Sequence, residues 1–503
     1  MAERHVVVLS DLHLWPTLET DDLWMRYRHR RFQPDAQLAM LFSLLCDRIR
    51  PGQLDLVLNG DIFDFDVPPV REGRPQHAKS PRCEVAAMQR MGEILADHPG
   101  FIVALARVLQ SGHRVIFVTG NHDIQLHFAG VRELVRQQIL SACRVLDARH
   151  SDRDLGEQAK RIEFHRWFYR SPLGIHIEHG QQYDPFCSVS DPEWPFHIDG
   201  QLHNTVGTLV IEHVIGRLGY FNPNVERSYL LTTRQYLEHW RRYYWRSPRS
   251  LLRTFFFGSL RVLLGLLTEN GLVGRGPRSP ELQAADEAAH ASLFARWDVR
   301  ATLRILRLDR MLLFLGLLIA ACLLVFSPAV GLCTALLVVG AYRSVYPQRS
   351  HDLSEIVLES QQIARRIARI YGVRAVIFGH SHEASGRVEA GVFYGNSGTW
   401  VPMHHDIACT VAVEPSRPLI WLRDEGGVLR GGLYHLQGGQ LRMSSGIQDT
   451  GLSTHGSPAS KAAAQTSRTA AGSRTIDLAA PLRQPSRPQR RDNMALRAAD
   501  QLL

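Results

Sequence analysis

Along the chain, apolar runs end abruptly on polar chemistry. HVVVLSDLHLW (5–15), LDLVLNGDIFDF (54–65), RVIFVTGNHDIQL (114–126), LGIHIEHGQQYD (173–184) and VRAVIFGHSHEAS (373–385) each run from aliphatic residues into a carboxylate, carboxamide or imidazole. Short runs that are apolar on both faces predict strands buried in a sheet covered by helices. Segments with helical spacing at 35–50, 83–112 and 352–372 supply helices between those strands. CTVAVEP (409–415) and LIWLRDE (419–425) alternate, which predicts antiparallel strands completing a second sheet.

Residues two apart in an extended segment point the same way, so Asp11 and His13 can converge on one metal ion. His380 and His382 repeat that spacing. In open α/β sheets the carboxyl ends of the strands form the ligand crevice, which would gather all five polar endings in one place. Glycine beside most of them allows sharp turns and close backbone approach.

In this order the five blocks resemble the calcineurin-like metallophosphoesterase family, whose pattern runs D-x-H, G-D, G-N-H-D, H and G-H-x-H. The resemblance covers residues 4–186 and 372–400, and YGNSGTW (394–400) is similar to the family's strand beyond the last ligand pair. It implies an α/β fold: a metallophosphoesterase four-layer β-sandwich flanked by helices. It further implies that Asp11, His13, Asp61 and His382 bind one metal, and that Asp61, Asn121, His179 and His380 bind another, with Asp61 bridging. His122 would face the substrate, oriented by Asp123, and protonate the leaving oxygen or stabilise phosphoryl charge. Asp64 reads either as a partner of a ligand histidine or as an ordinary loop carboxylate. Two divalent cations so held activate water and offset the charge of an in-line transition state. Nitrogen and oxygen donors without thiolate suit Mn, Fe or Zn.

The blocks are also similar to those of UDP-2,3-diacylglucosamine hydrolase, a branch that places a helical lid between the fourth and fifth blocks. Here the insertion is much longer, and His122 stands where that branch often carries Arg.

The 503 residues then divide into a discontinuous catalytic domain (1–190 and 350–440), a mainly helical insertion (191–349) and a tail (441–503). The tail has no Phe, Trp or Tyr and is rich in Ser, Ala, Arg, Pro and Gly, so disorder is expected, with a short helix at 493–503. Seven scattered Cys without C-x-x-C spacing exclude a disulfide framework and suit a reducing cytosol. The start reads as a core strand without an apolar leader, so no secretory signal is expected.

Within the insertion, 311–342 carries no charge at all and is broken by Ser327 and Pro328. The two halves of the site lie before and after it, so any membrane crossing must be even in number. Arg304, Arg307 and Arg310 before the run, and Arg343 and Arg349 after it, place both ends on the cytoplasmic side. The expectation is a helical hairpin entering the membrane and returning; the alternative is a hairpin buried in the insertion's own core. The net charge of +9 concentrates in 234–267, where Arg interleaves with Trp, Tyr and Phe, a mixture suited to a membrane interface or to nucleic acid. The function expected is a dinuclear-metal phosphoesterase on the cytoplasmic face of the membrane, hydrolysing a phosphate ester or pyrophosphate of a lipid-linked or nucleotide-linked substrate. A nuclease or phosphodiesterase acting on nucleic acid or a cyclic nucleotide, and a non-catalytic scaffold, are the alternatives.

Overall fold

The computed structural model describes residues 3–16, 34–148 apart from 68–69, 72–73 and 76–79, 151–215, 241, 248–269, 285–295, 302–345 apart from 304–305 and 307, 353–404, 411, 413 and 416–447. The strands are β1 (His5–Leu9), β2 (Leu54–Asn59), β3 (Val70–Arg71), β4 (Arg74–Pro75), β5 (Arg114–Val118), β6 (Ile162–His165), β7 (Phe168–Ser171) and β8 (Ile175–Glu178). After the insertion come β9 (Ala375–Phe378), β10 (Ser385–Glu389), β11 (Val392–Asn396), β12 (Pro418–Glu425), β13 (Val428–Gln437) and β14 (Gln440–Ile447). Seven of them form a mixed sheet in the order β14-β13-β12-β1-β2-β5-β6, and five form a second mixed sheet, β10-β11-β9-β8-β7. In the first sheet β1, β2, β5 and β6 run parallel, and β12 joins β1 antiparallel.

The strand period of two explains how the sheets stack. Val6, Val8, Val57, Ile116 and Val118 point to one face of the first sheet, against Ile175, Ile177, Ala375, Ile377 and Phe393 of the second. Val7, Leu9, Leu56, Leu58, Val115 and Phe117 point to the other face. There they meet α1 (Asp35–Arg48), α2 (Glu84–Asp97), α3 (Pro99–Gln110) and α4 (Ala129–Leu146). Each such aliphatic side chain, taken out of water, contributes roughly 1.5–3 kcal/mol. α5 (Asp152–Ala159) leads into β6. The helix Leu353–Tyr371 covers the outer face of the second sheet, with Ala364, Ile367 and Ala368 on Val376 and Phe378.

Several expectations are revised. The five polar endings do not belong to one sheet: β1, β2 and β5 lie in the first and β8 and β9 in the second, so the crevice opens between the sheets. LIWLRDE joins the first sheet as part of β12 instead of completing the second, which β10 and β11 complete; CTVAVEP lies largely outside the described residues. The 83–112 helix breaks at His98, whose φ of −124° and ψ of 49° leave the helical region, and Pro99 opens α3 at a position where its missing N–H costs nothing. The tail begins later than 441, because β14 pairs with β13 and buries Leu441. Pairing compensates there for the lack of aromatic residues. The rest of the tail, including 493–503, lies outside the described residues, as does nearly all of 234–247.

After turns and a Phe196–Leu202 bridge over 191–205, the described parts of the insertion are mainly helical: α6 (Val206–Val210), α7 (Pro248–Glu269), α8 (Ala285–Ala291), α9 (Leu308–Phe326) and α10 (Pro328–Val345); the helix Leu353–Tyr371 is α11. Ser327 separates α9 from α10, and their 19 and 18 residues are each long and apolar enough to cross a membrane. At the base of this hairpin the Tyr342 hydroxyl donates to Asp309 (2.9 Å). The expected alternative of a buried core hairpin does not describe these helices. Phe314 is 70% exposed, Val325 83%, Phe326 86% and Leu337 73%.

Candidate metal centre

The site begins with backbone that few residues tolerate. Among the described residues, seven non-glycine positions take a positive φ, and five of them are Asp11 (52°), His13 (44°), Asp61 (52°), His380 (66°) and His382 (61°). Left-handed backbone at such residues costs of order 1–3 kcal/mol each and persists where the surroundings over-determine it. Here the strain turns each side chain off its strand end into the gap between the sheets. Gly60, at φ +77°, shows how tight that gap is: a Cβ there would collide with the His179 ring. The segment 394–400 braces the loops from behind. Thr399 donates its hydroxyl to the Asp11 carbonyl (2.9 Å), and the Asn396 amide donates to the Gly379 carbonyl (2.6 Å).

Two groups of donors result. Asp11, His13 and His382 form one, with His382 Nε2 3.2 Å from Asp11 Oδ1 and 3.3 Å from His13 Nε2. Asp61, His179 and His380 form the other, with His179 Nε2 3.1 Å from Asp61 Oδ2. Asp61 Oδ2 also lies 3.8 Å from His13 Nε2, so this oxygen stands between the groups, while Oδ1 accepts the His122 backbone N–H (2.8 Å). Asn121 is buried nearby in sequence on the β5 loop.

A divalent cation fits this donor set on the evidence of its unsatisfied atoms. Asp11 Oδ1, Asn121 Oδ1 and His179 Nε2 are buried without a hydrogen-bond partner. Such atoms cost roughly 1–3 kcal/mol or more unless something answers them. His179 Nδ1–H donates to the Asn59 carbonyl (2.9 Å), which aims Nε2 at Asp61 and makes it the nitrogen that would ligate once its proton is shed. Burial keeps His13 below its usual value, so its imidazole is neutral and can ligate. Burial opposes ionisation of Asp61, yet His179 and His122 hold it well below the usual carboxylate range, and Asp11 is lowered likewise by His179 and His382.

His122 is arranged differently from expectation. Its Nδ1 lies 3.4 Å from Asp64 Oδ1 and 3.2 Å from Asp66 Oδ2, and although burial disfavours its charge, Asp61 and Asp64 raise it well above the ordinary value. Asp123 does not orient it: Asp123 accepts from the backbone N–H groups of Gly120 (2.6 Å) and Ile62 (2.8 Å), holding two loops together. Burial and the Asp61 charge push Asp123 up to about 7. Asp64 also reaches His13 Nδ1 (3.4 Å), so it backs both imidazoles. Three site residues were not anticipated. Asn59 fixes the tautomer of His179, Asp66 faces His122, and Asp184 Oδ2 lies 3.1 Å from His380 Nε2. Asp184 ends the same polar run as His179, and that was its one signal in the sequence.

No family model matches the chain, and no curated protein matches it. Among solved structures, a double mutant and a single mutant of Vps29 from Entamoeba histolytica share 17% and 18% identity with it, each at a TM-score of 0.14. Each match covers 17% of this chain and 46% of the other, so the chain spans less than half the length of these neighbours. The functional reading therefore rests on the site.

Proposed function

We propose that the chain is a metal-dependent phosphoesterase of the metallophosphoesterase type, acting at a membrane surface on a lipid-linked phosphate ester or pyrophosphate. The observation that carries this reading is the convergence of Asp11 Oδ1 and His179 Nε2, 4.0 Å apart, both buried and unsatisfied, among the imidazoles of two adjoining groups. Asp11, His13, Asp61 and His382 would hold one cation and Asp61, Asn121, His179 and His380 the other. Bound there, the two cations would supply Lewis-acid stabilisation of the phosphoryl charge and an activated water. Two divalent ions so held would offer open coordination positions to the oxygens of a phosphate. His122 turns Nδ1 toward Asp64 and Asp66, at 3.4 and 3.2 Å, so Nε2 is the atom that would give a proton to the leaving oxygen.

The membrane part of the reading is supported by α9 and α10, whose outward side chains are apolar along both helices. At 19 and 18 residues they span about 27–28 Å each, close to the hydrocarbon thickness of a bilayer. α7 adds exposed Phe256, Phe257, Leu260, Leu264 and Leu267 at helical spacing, as an interfacial helix does. The test is a hydrolysis screen of detergent-solubilised protein with Mn²⁺ against monoesters, diesters, lipid-linked pyrophosphates and nucleic acid. Chelator-sensitive hydrolysis, fastest on the lipid-linked compounds, is expected. Preference for nucleic acid would install the nuclease reading, and no turnover with metal bound would leave a scaffold.

A further inference from the structure

We infer that the chain carries a second, separate metal site: a structural zinc(II) held by His176, Glu178 and His290, clamping the inserted helix α8 onto the strand that delivers His179. The inference stands on geometry outside the candidate centre and does not depend on the phosphoesterase reading. His176 and Glu178 alternate on β8 with Ile175 and Ile177, so they face away from the inter-sheet core to which the two isoleucines belong. His290 reaches them from α8.

All three side chains are buried, His176 and His290 at 0% and Glu178 at 1% exposure. Glu178 Oε1 lies 3.5 Å from His176 Nε2 and 3.5 Å from His290 Nε2, and the three donor atoms lie within 4.8 Å of one another. Donors at roughly 2.0–2.1 Å from a tetrahedral zinc are about 3.3 Å apart, so the cluster needs little adjustment to close on an ion. Neither ring nitrogen of His176 has a hydrogen-bond partner.

The outer contacts suit the same reading. His290 Nδ1–H donates to the Tyr371 hydroxyl (3.0 Å), which leaves its Nε2 lone pair toward Glu178. The Tyr183 hydroxyl donates to Glu178 Oε1 (2.7 Å) and orients the carboxylate; its 2.6 Å contact with His290 Nε2 is one that a bound ion would replace. Trp167 stacks on His290 with ring centroids 4.5 Å apart, and Tyr371 stacks on His176 at 5.2 Å. These rings screen the site from bulk water, and the Tyr183 hydroxyl, beside both Glu178 and His290, would complete the fourth position that a structural zinc needs. Two imidazoles and a carboxylate without thiolate fit zinc. The clamp also bears on the candidate centre, since the Glu178 carbonyl accepts from Asn59 Nδ2 (2.9 Å) and Asn59 fixes the tautomer of His179.

The test is metal content of the full-length protein by plasma mass spectrometry, in a background where Asp11→Asn and Asp61→Asn disable the candidate centre. About one zinc per chain is expected to remain, falling to none when His290→Gln or Glu178→Gln is added. Zinc-edge absorption of the background protein should show nitrogen and oxygen donors only. A folded background protein, judged by circular dichroism, that holds no zinc would overturn the site. So would zinc content unchanged by both added substitutions, or sulfur in the zinc shell. Should the added substitutions unfold the chain, the milder His176→Asn in the same background decides: loss of the zinc upholds the site and unchanged zinc overturns it.

Discussion

His179 presents Nε2 to Asp61 Oδ2 at 3.1 Å, across the gap between the two sheets, and so ties the carboxyl end of β8 to that of β2. Asp61 Oδ1 is fixed by the His122 backbone N–H, which leaves Oδ2 as the oxygen shared by the two donor groups. Asp61→Asn keeps the shape and the backbone contact but removes the charge. Metal affinity should fall by more than the roughly 10–100-fold that loss of an outer partner costs, and hydrolysis should fall to background. Metal analysis and turnover measured together check this; two tightly held ions and ordinary turnover would remove Asp61 from the centre.

His122 should separate chemistry from metal binding, because its Nδ1 faces Asp64 and Asp66 even though its ring stands within 4.8 Å of the Asp61 and His13 donors. His122→Ala is expected to lower turnover by the ~10²–10⁴-fold typical of a general acid, with metal content nearly unchanged. The loss should shrink for nitrophenyl esters, whose leaving group needs no proton. Equal losses on good and poor leaving groups would leave His122 charge stabilisation and nothing more.

The pH dependence follows from His179. Burial works against its charge, but Asp61 and Asp11 overcome that and raise it to about 9. In chelator-treated protein the raised value stabilises the fold fully below about 6.5, the unfolded value, and that contribution is lost as pH rises through about 9. Metal binding has the opposite sign, because the imidazole must shed its proton to ligate, so affinity should climb by about tenfold per pH unit up to that point. Thermal melts with and without Mn²⁺ from about pH 6 to pH 10 should show a gap that widens with pH. A gap of constant size would contradict the assignment of His179 as a ligand.

Much of this site could be read from the sequence because its donors follow strands whose apolar runs are short and unmistakable. Val6 to Leu9 run into Asp11 and His13, and Ala375 to Phe378 run into His380 and His382. The helix spacing was equally clear for α1 and α11. What could not be read was pairing across distance. Nothing in LIWLRDE tells that it lies between β1 and β13, because its pattern fits either sheet. Asp123 sits beside His122 in the chain, yet its oxygens face backbone N–H groups, while the carboxylates near His122 come from the β2 loop. The cluster of His176, Glu178 and His290 was invisible for the same reason, since a helix far along the chain completes it.

The proposed membrane hairpin bears directly on the proposed lipid-linked substrate. Tyr342 bonds Asp309 at its base, so the ends of 312–341 lie side by side and a short Gly/Ser linker can replace that segment while keeping the bond. Every donor of the candidate centre lies outside the deleted stretch, and the exposed side chains of α9 and α10 contribute little to the protein's own core. The shortened protein should therefore fold, leave the membrane fraction and retain hydrolysis of a small soluble diester within about two- to threefold, the context scatter of a distant change. Activity on a lipid-linked substrate in vesicles should fall far more, because the substrate no longer shares a surface with the enzyme. Flotation of the intact and shortened proteins with liposomes, alongside both assays, provides the check. If the intact protein stays soluble without detergent and the deletion unfolds it, the hairpin serves the protein's own structure and the lipid-linked substrate loses its support.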